Sequence, residues 1–307
     1  MGREIGLIVL ASLLMLCATS QSQAAAAPAR NPAAAHSSAP EVRSSSALIL
    51  DETNSAVLYA KQADLATPIA SITKLMTALV VIEAGQPLDE ELQITAEDRS
   101  SGKGAYSRLP VGAKLSRGDL LHLALMSSEN RAAHALGRNY AGGLPACVRA
   151  MNAKAQALHM TSTHFVDPSG LSSENVASPF DLAKLVIAAA QDPTIRDYST
   201  DGRYAVQIGR HMLEFRNTNS LVSNPTWDII VQKTGYIAEA GRCLVLKTMI
   251  EGRAVVIVLL DSFGKYTRTA DARRIRTWME SALHADGGGA ASGASTLAGS
   301  PPGAADR

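Results

Sequence analysis

The chain has 307 residues, of which 46% are hydrophobic and 4% aromatic, and its formal net charge at pH 7 is +1. This apolar content is sufficient for one large domain or two small ones around a buried core. The balanced charge excludes a strongly basic face, and the few aromatic residues argue against platforms for stacked bases, so we expect no nucleic-acid partner.

The N-terminus has the pattern of a cleavable secretion signal. Arg3 is followed by an apolar run over residues 5–19 and then by the small residues 24–27. This order is typical of a signal peptide and its cleavage site. We therefore expect residues 1–26 to be removed and the mature protein to be exported.

Two further segments lack any apolar period. Residues 27–46 are rich in Ala, Ser and Pro and predict a flexible linker. Residues 284–307 consist mainly of Gly, Ala, Ser and Pro and predict a disordered tail. The tail sequence contains no amphipathic helix that could lie on a bilayer, so we expect no membrane anchor after signal cleavage.

The region between these segments begins with strands, continues with helices and returns to strands. Apolar runs at 47–50 and 56–60, separated by a turn sequence, predict a β-hairpin. Capping residues and prolines predict four helices, which begin at Thr67-Pro68, Ser116, Pro145 and Ser178-Pro179. Later β-rich runs lie at 204–208, 211–215, 229–236, 243–249 and 254–260, and a helix is predicted over 269–283.

This order predicts an α+β fold in which an antiparallel sheet is flanked by helices. We assign residues 47–66 and 203–283 to the sheet part and residues 67–202 to an inserted helical subdomain. A functional site is then expected where the two parts meet.

The start of the first predicted helix carries a serine and a lysine three residues apart. Residues i and i+3 of a helix share a face, so Ser71 and Lys74 can exchange a proton. The helix dipole favours an oxyanion at Ser71 and disfavours a protonated Lys74. A lysine shielded from water beside another cation, for which Lys233 is the candidate, can serve as a base near neutral pH.

The Ser-x-x-Lys spacing also occurs at two other places. These are Ser100 to Lys103 and Ser262 to Lys265. Both have Gly at the third position and no helical run behind them. Neither copy therefore predicts a serine and a lysine on one helix face.

A Ser-Glu-Asn sequence follows the second predicted helix, at Ser128-Glu129-Asn130. Its side chains can project from a loop into a cleft. There Ser128 could pass a proton to a leaving nitrogen, and Asn130 could orient Lys74 and a substrate amide. A second copy, residues 173–175, lies just before the helix start at Ser178, and we expect a structural role for it.

A Lys-Thr-Gly sequence ends an apolar β-run. Lys233 and Thr234 can bind a carboxylate, and Gly235 lets a substrate backbone approach the strand. An edge strand that ends in a charged residue and a turn glycine could have the same sequence without any catalytic role. What favours a catalytic site is the order of the three motifs, Ser-x-x-Lys, Ser-x-Asn and Lys-Thr-Gly, which together are typical of penicillin-recognising serine enzymes.

The chain resembles the low-molecular-mass penicillin-binding proteins, which are serine D-alanyl-D-alanine peptidases, over residues 45–283. Besides the three motifs, the similarity includes residues 68–77 and the loop 167–171. Residues 232–244 are particularly similar to the D-alanyl-D-alanine endopeptidase type, also called the penicillin-binding protein 7 type. The resemblance implies that residues 47–283 form the catalytic domain.

The resemblance implies a periplasmic enzyme of cell-wall biogenesis and cell shape that acts through a Ser71 acyl-enzyme. Its substrates would be D-alanyl bonds of peptidoglycan stem peptides, chiefly the crosslinks, and β-lactam antibiotics would acylate it. Backbone N–H groups of Ser71 and Tyr236 would bind the oxyanion, and no metal or cofactor is implied. Carboxypeptidases of the group usually add a β-rich domain and an amphipathic C-terminal helix. Neither pattern is present here, which favours the endopeptidase.

Two other functions remain open. A class A-like β-lactamase shares the motifs but needs a glutamate that activates the deacylating water. No Glu-x-x-Leu-Asn loop lies between the second and third motifs, and Glu174 is the only nearby candidate. A catalytically silent muropeptide or penicillin sensor would use the same fold for binding alone. All motif residues are present, so the sequence offers no argument that the protein is inactive.

Two cysteines follow the expected signal peptide, Cys147 and Cys243. An oxidising compartment would allow them to form a disulfide. Cys243 lies in an apolar run and equally fits a buried free thiol.

Overall fold

The structure is a computed structural model that describes residues 39–99 and 106–291. The expected signal peptide, residues 1–26, lies outside the described residues, as do residues 27–38 of the expected linker and residues 292–307 of the expected tail. In the described part of the chain, none of the helices combines the length and the apolar character needed to span a bilayer.

The described residues form eleven strands and seven α-helices. The strands are β1 (Ser46–Asp51), β2 (Ala56–Lys61), β3 (Thr67–Pro68), β4 (Glu91–Gln93), β5 (Lys114–Ser116), β6 (Val176–Ala177), β7 (Arg203–Ile208), β8 (His211–Arg216), β9 (Asp228–Ile237), β10 (Gly241–Ile250) and β11 (Arg253–Ser262). The helices are α1 (Thr73–Glu83), α2 (Arg117–Met126), α3 (Asn130–Arg138), α4 (Gly143–Ala157), α5 (Pro179–Ala189), α6 (Pro193–Thr200) and α7 (Thr267–Ala291).

The main sheet has five antiparallel strands in the order β2-β1-β11-β10-β9. The predicted hairpin β1–β2 therefore joins the last three strands, with Ser46 opposite Leu260 and Asp51 opposite Val255. Helices α1 to α6 lie between the two sets of strands along the chain. This arrangement confirms the predicted α+β fold with an antiparallel sheet and inserted helices.

The main sheet is buried on both faces because alternate residues of a strand point to opposite sides. In β1, Leu48 belongs to a core cluster shared with α1 to α5. Its neighbours Ala47 and Ile49 belong to a second cluster, shared with Ile275 of α7. Burial of a large aliphatic side chain contributes about 1.5–3 kcal/mol. The sheet is thus the layer against which both sets of helices pack.

Capping residues place the helices largely where the sequence predicts them. Ser116 and Asp119 form a capping box at the start of α2, and Ser178 caps α5. Helix α4 begins at Gly143, just before the predicted start at Pro145. The side chains of Ser116 and Ser178 satisfy backbone N–H groups that have no partner within their helices.

Two helices are missing from the sequence prediction. Helix α6 follows Asp192, whose side chain accepts the N–H of Ile195, and has Pro193 in its first turn. This is the same signal that marks α5. Helix α3 begins inside the Ser-Glu-Asn motif, with Glu129 as its cap, where the sequence predicts only a loop.

The first helix begins later than the sequence predicts. Thr67–Pro68 do not cap a helix; they form β3, which pairs with β6. The next residue, Ile69, donates its N–H to the carbonyl of Asn175 at 3.1 Å, so the chain stays tied to the other segment. Ser71 consequently lies in a 3₁₀ turn, Ala70–Ile72, directly ahead of α1.

The last residues of the expected flexible linker are packed rather than free. Val42 and Ser44 are buried. Ser44 donates its N–H and its hydroxyl to Oδ2 of Asp271 at 2.8 and 2.6 Å. Composition does not reveal these bonds, because the acceptor lies 227 residues away in sequence.

Two further boundaries differ from the prediction. Strands β7 and β8, assigned to the sheet part, form a separate two-stranded sheet. The neighbouring edge of β9 is instead covered by α6, where Gln232 donates its side-chain amide to the carbonyl of Ser199 at 2.6 Å. Helix α7 extends to Ala291, through the first residues of the expected disordered tail.

Replacing Asp271 by Ala is expected to lower the free energy of unfolding by about 2–4 kcal/mol, since the two buried donors of Ser44 and the partly buried N–H of Arg43 lose their acceptor. Urea unfolding followed by circular dichroism measures the loss. Asp197 of α6 is exposed, so Asp197→Ala is the control, with an expected change below about 0.5 kcal/mol. Equal losses in the two variants would contradict the role given to Asp271.

Candidate active site

Lys74 lies buried at the centre of the site. Its Nζ is 2.8 Å from Ser71 Oγ, 2.8 Å from Asn130 Oδ1 and 2.6 Å from the carbonyl oxygen of Ser169. Lys74 is inaccessible to solvent and Ser71 nearly so. The structure therefore brings the first two sequence motifs together on one amine.

These three contacts suit a neutral amine. A neutral lysine has two N–H donors and one lone pair. Asn130 Oδ1 and the Ser169 carbonyl can only accept, so they use both hydrogens. The lone pair is left for the hydroxyl of Ser71, which can donate to it. A general base needs this arrangement to remove the hydroxyl proton.

The pKa of Lys74 is lowered to about 7, and burial is the cause. The negative charges of Asp167 and Glu129 oppose the shift. The sequence also suggests a contribution from Lys233 as a second cation. In the structure burial is the largest cause for both amines, and the charge of Lys74 further lowers the pKa of Lys233.

The loop after Asp167 positions the Ser169 carbonyl. Asp167 accepts the N–H groups of Ser169, Gly170 and Ser172 and the hydroxyl of Ser169. Burial alone would raise the pKa of Asp167, but these bonds outweigh it and hold the pKa below its ordinary value. Gly170 has a φ of +78°, and a Cβ there would lie 2.0 Å from the carbonyl oxygen of Ala70. The loop therefore packs closely against the 3₁₀ turn Ala70–Ile72, which carries Ser71 and is called the nucleophile turn below.

The Ser-Glu-Asn motif connects α2 to α3. Ser128 has a φ of 62°, in the left-handed region, where a serine is strained by an amount that functional sites often tolerate. Glu129 is buried and accepts the N–H groups of Arg108 and Arg131 at 3.3 Å each. These bonds hold the connection in place, so that Asn130, the first residue of α3, reaches Lys74.

The Lys-Thr-Gly motif lies on β9, the edge strand beside the site. Lys233 is fully buried and donates to the carbonyl of Thr234 at 3.0 Å. Its pKa lies well below the ordinary value, first because of burial and then because of the charges of Lys74 and Arg268. The Thr234 hydroxyl lies 2.6 Å from that of Thr218.

Gly235 allows β9 to approach the nucleophile turn. A Cβ at this position would lie 2.9 Å from the carbonyl oxygen of Ile69 and 3.1 Å from the backbone nitrogen of Ser71. The sequence predicts that Gly235 lets a substrate backbone approach the strand. In the structure the missing side chain also lets the backbone turn at Ser71 pack against β9.

The backbone N–H of Tyr236 points to the edge of β9 that pairs with no other strand of the main sheet. The N–H of Gln232 lies 3.4 Å from Ser199 Oγ, on the side away from β10. Backbone groups alternate in direction along a strand, so the N–H groups of Thr234 and Tyr236 point the same way. Tyr236 is 54% exposed, and its ring lies against Arg242.

Arg268 is a site residue that the sequence analysis missed. From α7 its Nη1 donates to the carbonyls of Gly235 and Cys243, at 2.8 and 3.0 Å. Its charge also lowers the pKa of Lys233. A single arginine outside any motif gives no sequence signal. The Asp-Pro-Ser-Gly sequence of residues 167–170, in contrast, is typical of a turn, and a turn with an exposed carbonyl could have been predicted there.

The other motif copies that the structure describes lie outside the site. Asn175 of the second Ser-Glu-Asn sequence is buried and bonds the backbone at Val166 and Asp167 and the hydroxyl of Thr73, which confirms its structural role. Ser262 pairs with the hydroxyl of Ser44 at the end of β11. The copy at residues 100–103 lies outside the described residues.

Both cysteines are free and buried. Burial raises the pKa of Cys147 to about 12 and that of Cys243 to about 11. The disulfide left open by the sequence is therefore not formed. Among residues 39–99 and 106–291, no group of three or more His, Cys, Asp or Glu side chains could hold a metal ion.

Comparison with known proteins decides the family. The sequence pattern of the D-alanyl-D-alanine carboxypeptidase family matches residues 33–264. The chain belongs to this family. The D-alanyl-D-alanine endopeptidase of Pseudomonas aeruginosa is 50% identical to the peptidase over 242 residues, 78% of each chain. That of Escherichia coli is 48% identical over 256 residues, 83% of each chain. The resemblance found in the motifs is confirmed, and the protein is a serine-type D-Ala-D-Ala peptidase.

Solved structures confirm the fold of the peptidase. The crystal structure of the Streptomyces K15 DD-transpeptidase superposes with a TM-score of 0.72 at 28% identity, covering 78% of this chain and 98% of that one. A penicillin-binding protein homologue of Mycobacterium tuberculosis superposes with a TM-score of 0.71 at 26% identity, covering 80% and 94% of the two chains.

Gly235→Ala is expected to slow acylation of the peptidase by benzylpenicillin about 100-fold, because the added Cβ displaces β9 from Ser71 by a few tenths of an ångström or more. Intact-mass measurement of adduct formation gives the rate. At Gly202 a Cβ would meet no atom closer than 4.0 Å, so Gly202→Ala is the matched control. Equal rates in the two variants would show that the close approach is dispensable.

The rate of acylation is expected to rise with pH through an inflection near 7, the pKa of Lys74. Below this pH Lys74 is protonated and has no lone pair, and above it the amine can accept the Ser71 proton. The measurement is the second-order rate constant with benzylpenicillin across this range. Lys74→Arg stays charged throughout and should be inactive at every pH. A flat profile for the unaltered peptidase would exclude Lys74 as the base.

Proposed function

We propose that this peptidase hydrolyses D-alanyl peptide bonds of peptidoglycan stem peptides, with the crosslinks as its main substrate. The observation that carries the proposal is the buried Lys74 amine, 2.8 Å from Ser71 Oγ, with its pKa lowered to about 7. The relatives from P. aeruginosa and E. coli, both named D-alanyl-D-alanine endopeptidases, support the choice of crosslinks.

Acylation begins with attack of Ser71 Oγ on the D-alanyl carbonyl carbon while Lys74 accepts the hydroxyl proton. The oxyanion that forms accepts hydrogen bonds from the N–H groups of Ser71 and Tyr236. Collapse of this intermediate breaks the bond from carbon to nitrogen. Ser128 delivers a proton to the leaving nitrogen and is resupplied from Lys74, so the amine departs neutral and Lys74 is a free base again.

Hydrolysis of the acyl-enzyme reverses these roles. A water molecule attacks the ester carbon while Lys74 takes its proton and returns it to Ser71 Oγ. The products are a stem peptide with a free carboxylate and the regenerated hydroxyl. Penicillins would acylate Ser71 by the same first step, because their strained amide presents an equivalent carbonyl.

A substrate carboxylate would bind at Lys233 and Thr234. Binding of an anion favours the charged form of a lysine, so it would restore the proton that burial disfavours on Lys233. Asn130 would accept the substrate amide N–H while it orients Lys74. A bound carboxylate and a charged Lys233 would thus favour each other.

A β-lactamase would need a carboxylate free to activate the deacylating water. Glu174 is exposed and lies in the loop whose next residue, Asn175, braces the backbone. The two acidic groups that act on Lys74, Asp167 and Glu129, already accept backbone N–H groups. These engagements favour a slowly hydrolysed penicilloyl enzyme over a β-lactamase.

The peptidase would act in the periplasm after removal of residues 1–26. The order of residues in that segment supports the export step. Its partners would be peptidoglycan and its muropeptides, and its role would lie in cell-wall biogenesis and cell shape. Fractionation of cells into periplasm and membrane, with N-terminal sequencing of the recovered protein, tests both the location and the cleavage site.

Incubation of the peptidase with crosslinked muropeptide dimers, and separately with benzylpenicillin, tests the proposal. We expect conversion of dimers to monomers and a lasting penicilloyl adduct on Ser71, read by chromatography and intact mass. Ser71→Ala should show neither. Rapid hydrolysis of penicillin with intact dimers would indicate a β-lactamase, and muropeptide affinity without any turnover would indicate a silent sensor.

A further inference from the structure

A cavity of about 490 Å³ opens on the Ser128 side of the active site. Its walls are the backbone turn at Tyr106 and Arg108, the connection from Ser127 to Glu129, and the end of β8. Ser128, the expected proton donor to the leaving nitrogen, therefore lines this cavity, two residues before Asn130, which contacts Lys74.

One positive charge in the cavity comes from Arg108, an exposed residue whose side chain lies over an aromatic ring. The guanidinium of Arg108 lies 4.6 Å from the centre of the Phe215 ring, and its backbone N–H donates to Glu129. Over the stretches 39–99 and 106–291, no carboxylate lies within ion-pair distance of Arg108.

The other charges of the cavity are already engaged. Arg216 pairs with Glu214, with 3.1 Å between Nε and Oε1. Glu129 is used by the N–H groups of Arg108 and Arg131. The lining side chains carry two positive and two negative charges, and Arg108 is the cation among them with no carboxylate of the described residues at ion-pair distance. Its stacking on Phe215 leaves the edge of the planar guanidinium available. That edge can bind a carboxylate through two parallel hydrogen bonds.

The position of the cavity indicates which half of a crosslink it can receive. A crosslink joins the D-alanyl carbonyl of one stem peptide to an amine of a second. The carbonyl side is held at Ser71, while the amine side begins at the leaving nitrogen, next to Ser128. A stem peptide on the leaving nitrogen that extends past Ser128 would enter this cavity.

We propose that this cavity binds the amine-side stem peptide of the crosslink and that Arg108 binds one of its carboxylates. The inference rests on the proposed function. A terminal D-alanine carries no second stem peptide, so Arg108 would contribute to binding of crosslinked dimers and little to release of terminal D-alanine. Arg108 is a specificity residue, and it has no part in the bond-breaking steps.

Arg108→Gln is expected to raise KM for crosslinked muropeptide dimers about tenfold, the loss of one charge-assisted contact, with kcat nearly constant. For release of terminal D-alanine from a monomeric pentapeptide, KM should change less than about twofold. Arg149 is exposed on α4, so Arg149→Gln is the matched control and should leave both KM values unchanged. Formation of the penicilloyl adduct reports that each variant is folded.

A second measurement needs no variant. Dimers whose amine-side carboxylates are converted to amides should show a rise in KM with the unaltered peptidase that is at least as large, because Lys233 and Thr234 would also bind a substrate carboxylate. With these dimers Arg108→Gln should add nothing further. Equal KM values for native and amidated dimers, or a loss in Arg108→Gln that is the same for dimers and pentapeptide, would overturn the inference. If the unaltered peptidase cleaves no dimers at all, the proposed function fails instead.

Discussion

Burial of one amine among three oxygen atoms is the constraint on which the site depends. A charged Lys74 in this position would need more compensation than Asp167 and Glu129 provide, and its pKa falls to about 7. The surrounding structure then decides what the neutral amine can do. The Ser169 carbonyl and Asn130 take its hydrogens, so only Ser71 can use its lone pair.

Three separate parts of the chain must hold their positions for this arrangement to persist. The Asp167 loop fixes Ser169, Glu129 fixes the start of α3, and two glycines allow backbone segments to pack against the nucleophile turn. The turn is therefore clamped from the loop side by Gly170 and from the sheet side by Gly235. Rigid support of this kind keeps reacting groups in productive geometry.

The sequence predicts what is local and misses what depends on distant contacts. The pairing of Ser71 with Lys74 follows from a spacing of three residues, and the caps at Ser116 and Ser178 are short-range signals. The predicted helix start at Thr67-Pro68 is wrong because the same two residues also fit an extended strand, and β6 lies beside them and pairs with them. Arg268 reaches β9 only through the packing of α7 on the sheet.

The pairing of β1 with β11 also determines when the chain can fold. The first strand occupies an interior position of the sheet, between β2 and β11. Ser44 is tied to a residue 227 positions later. During synthesis the N-terminal part of the chain appears first, so β1 and β2 can at that time form only an isolated hairpin. Such a hairpin is only marginally stable in water. Such long-range pairing slows folding, so the nucleophile turn and its catalytic strand assemble only when almost the entire domain has emerged.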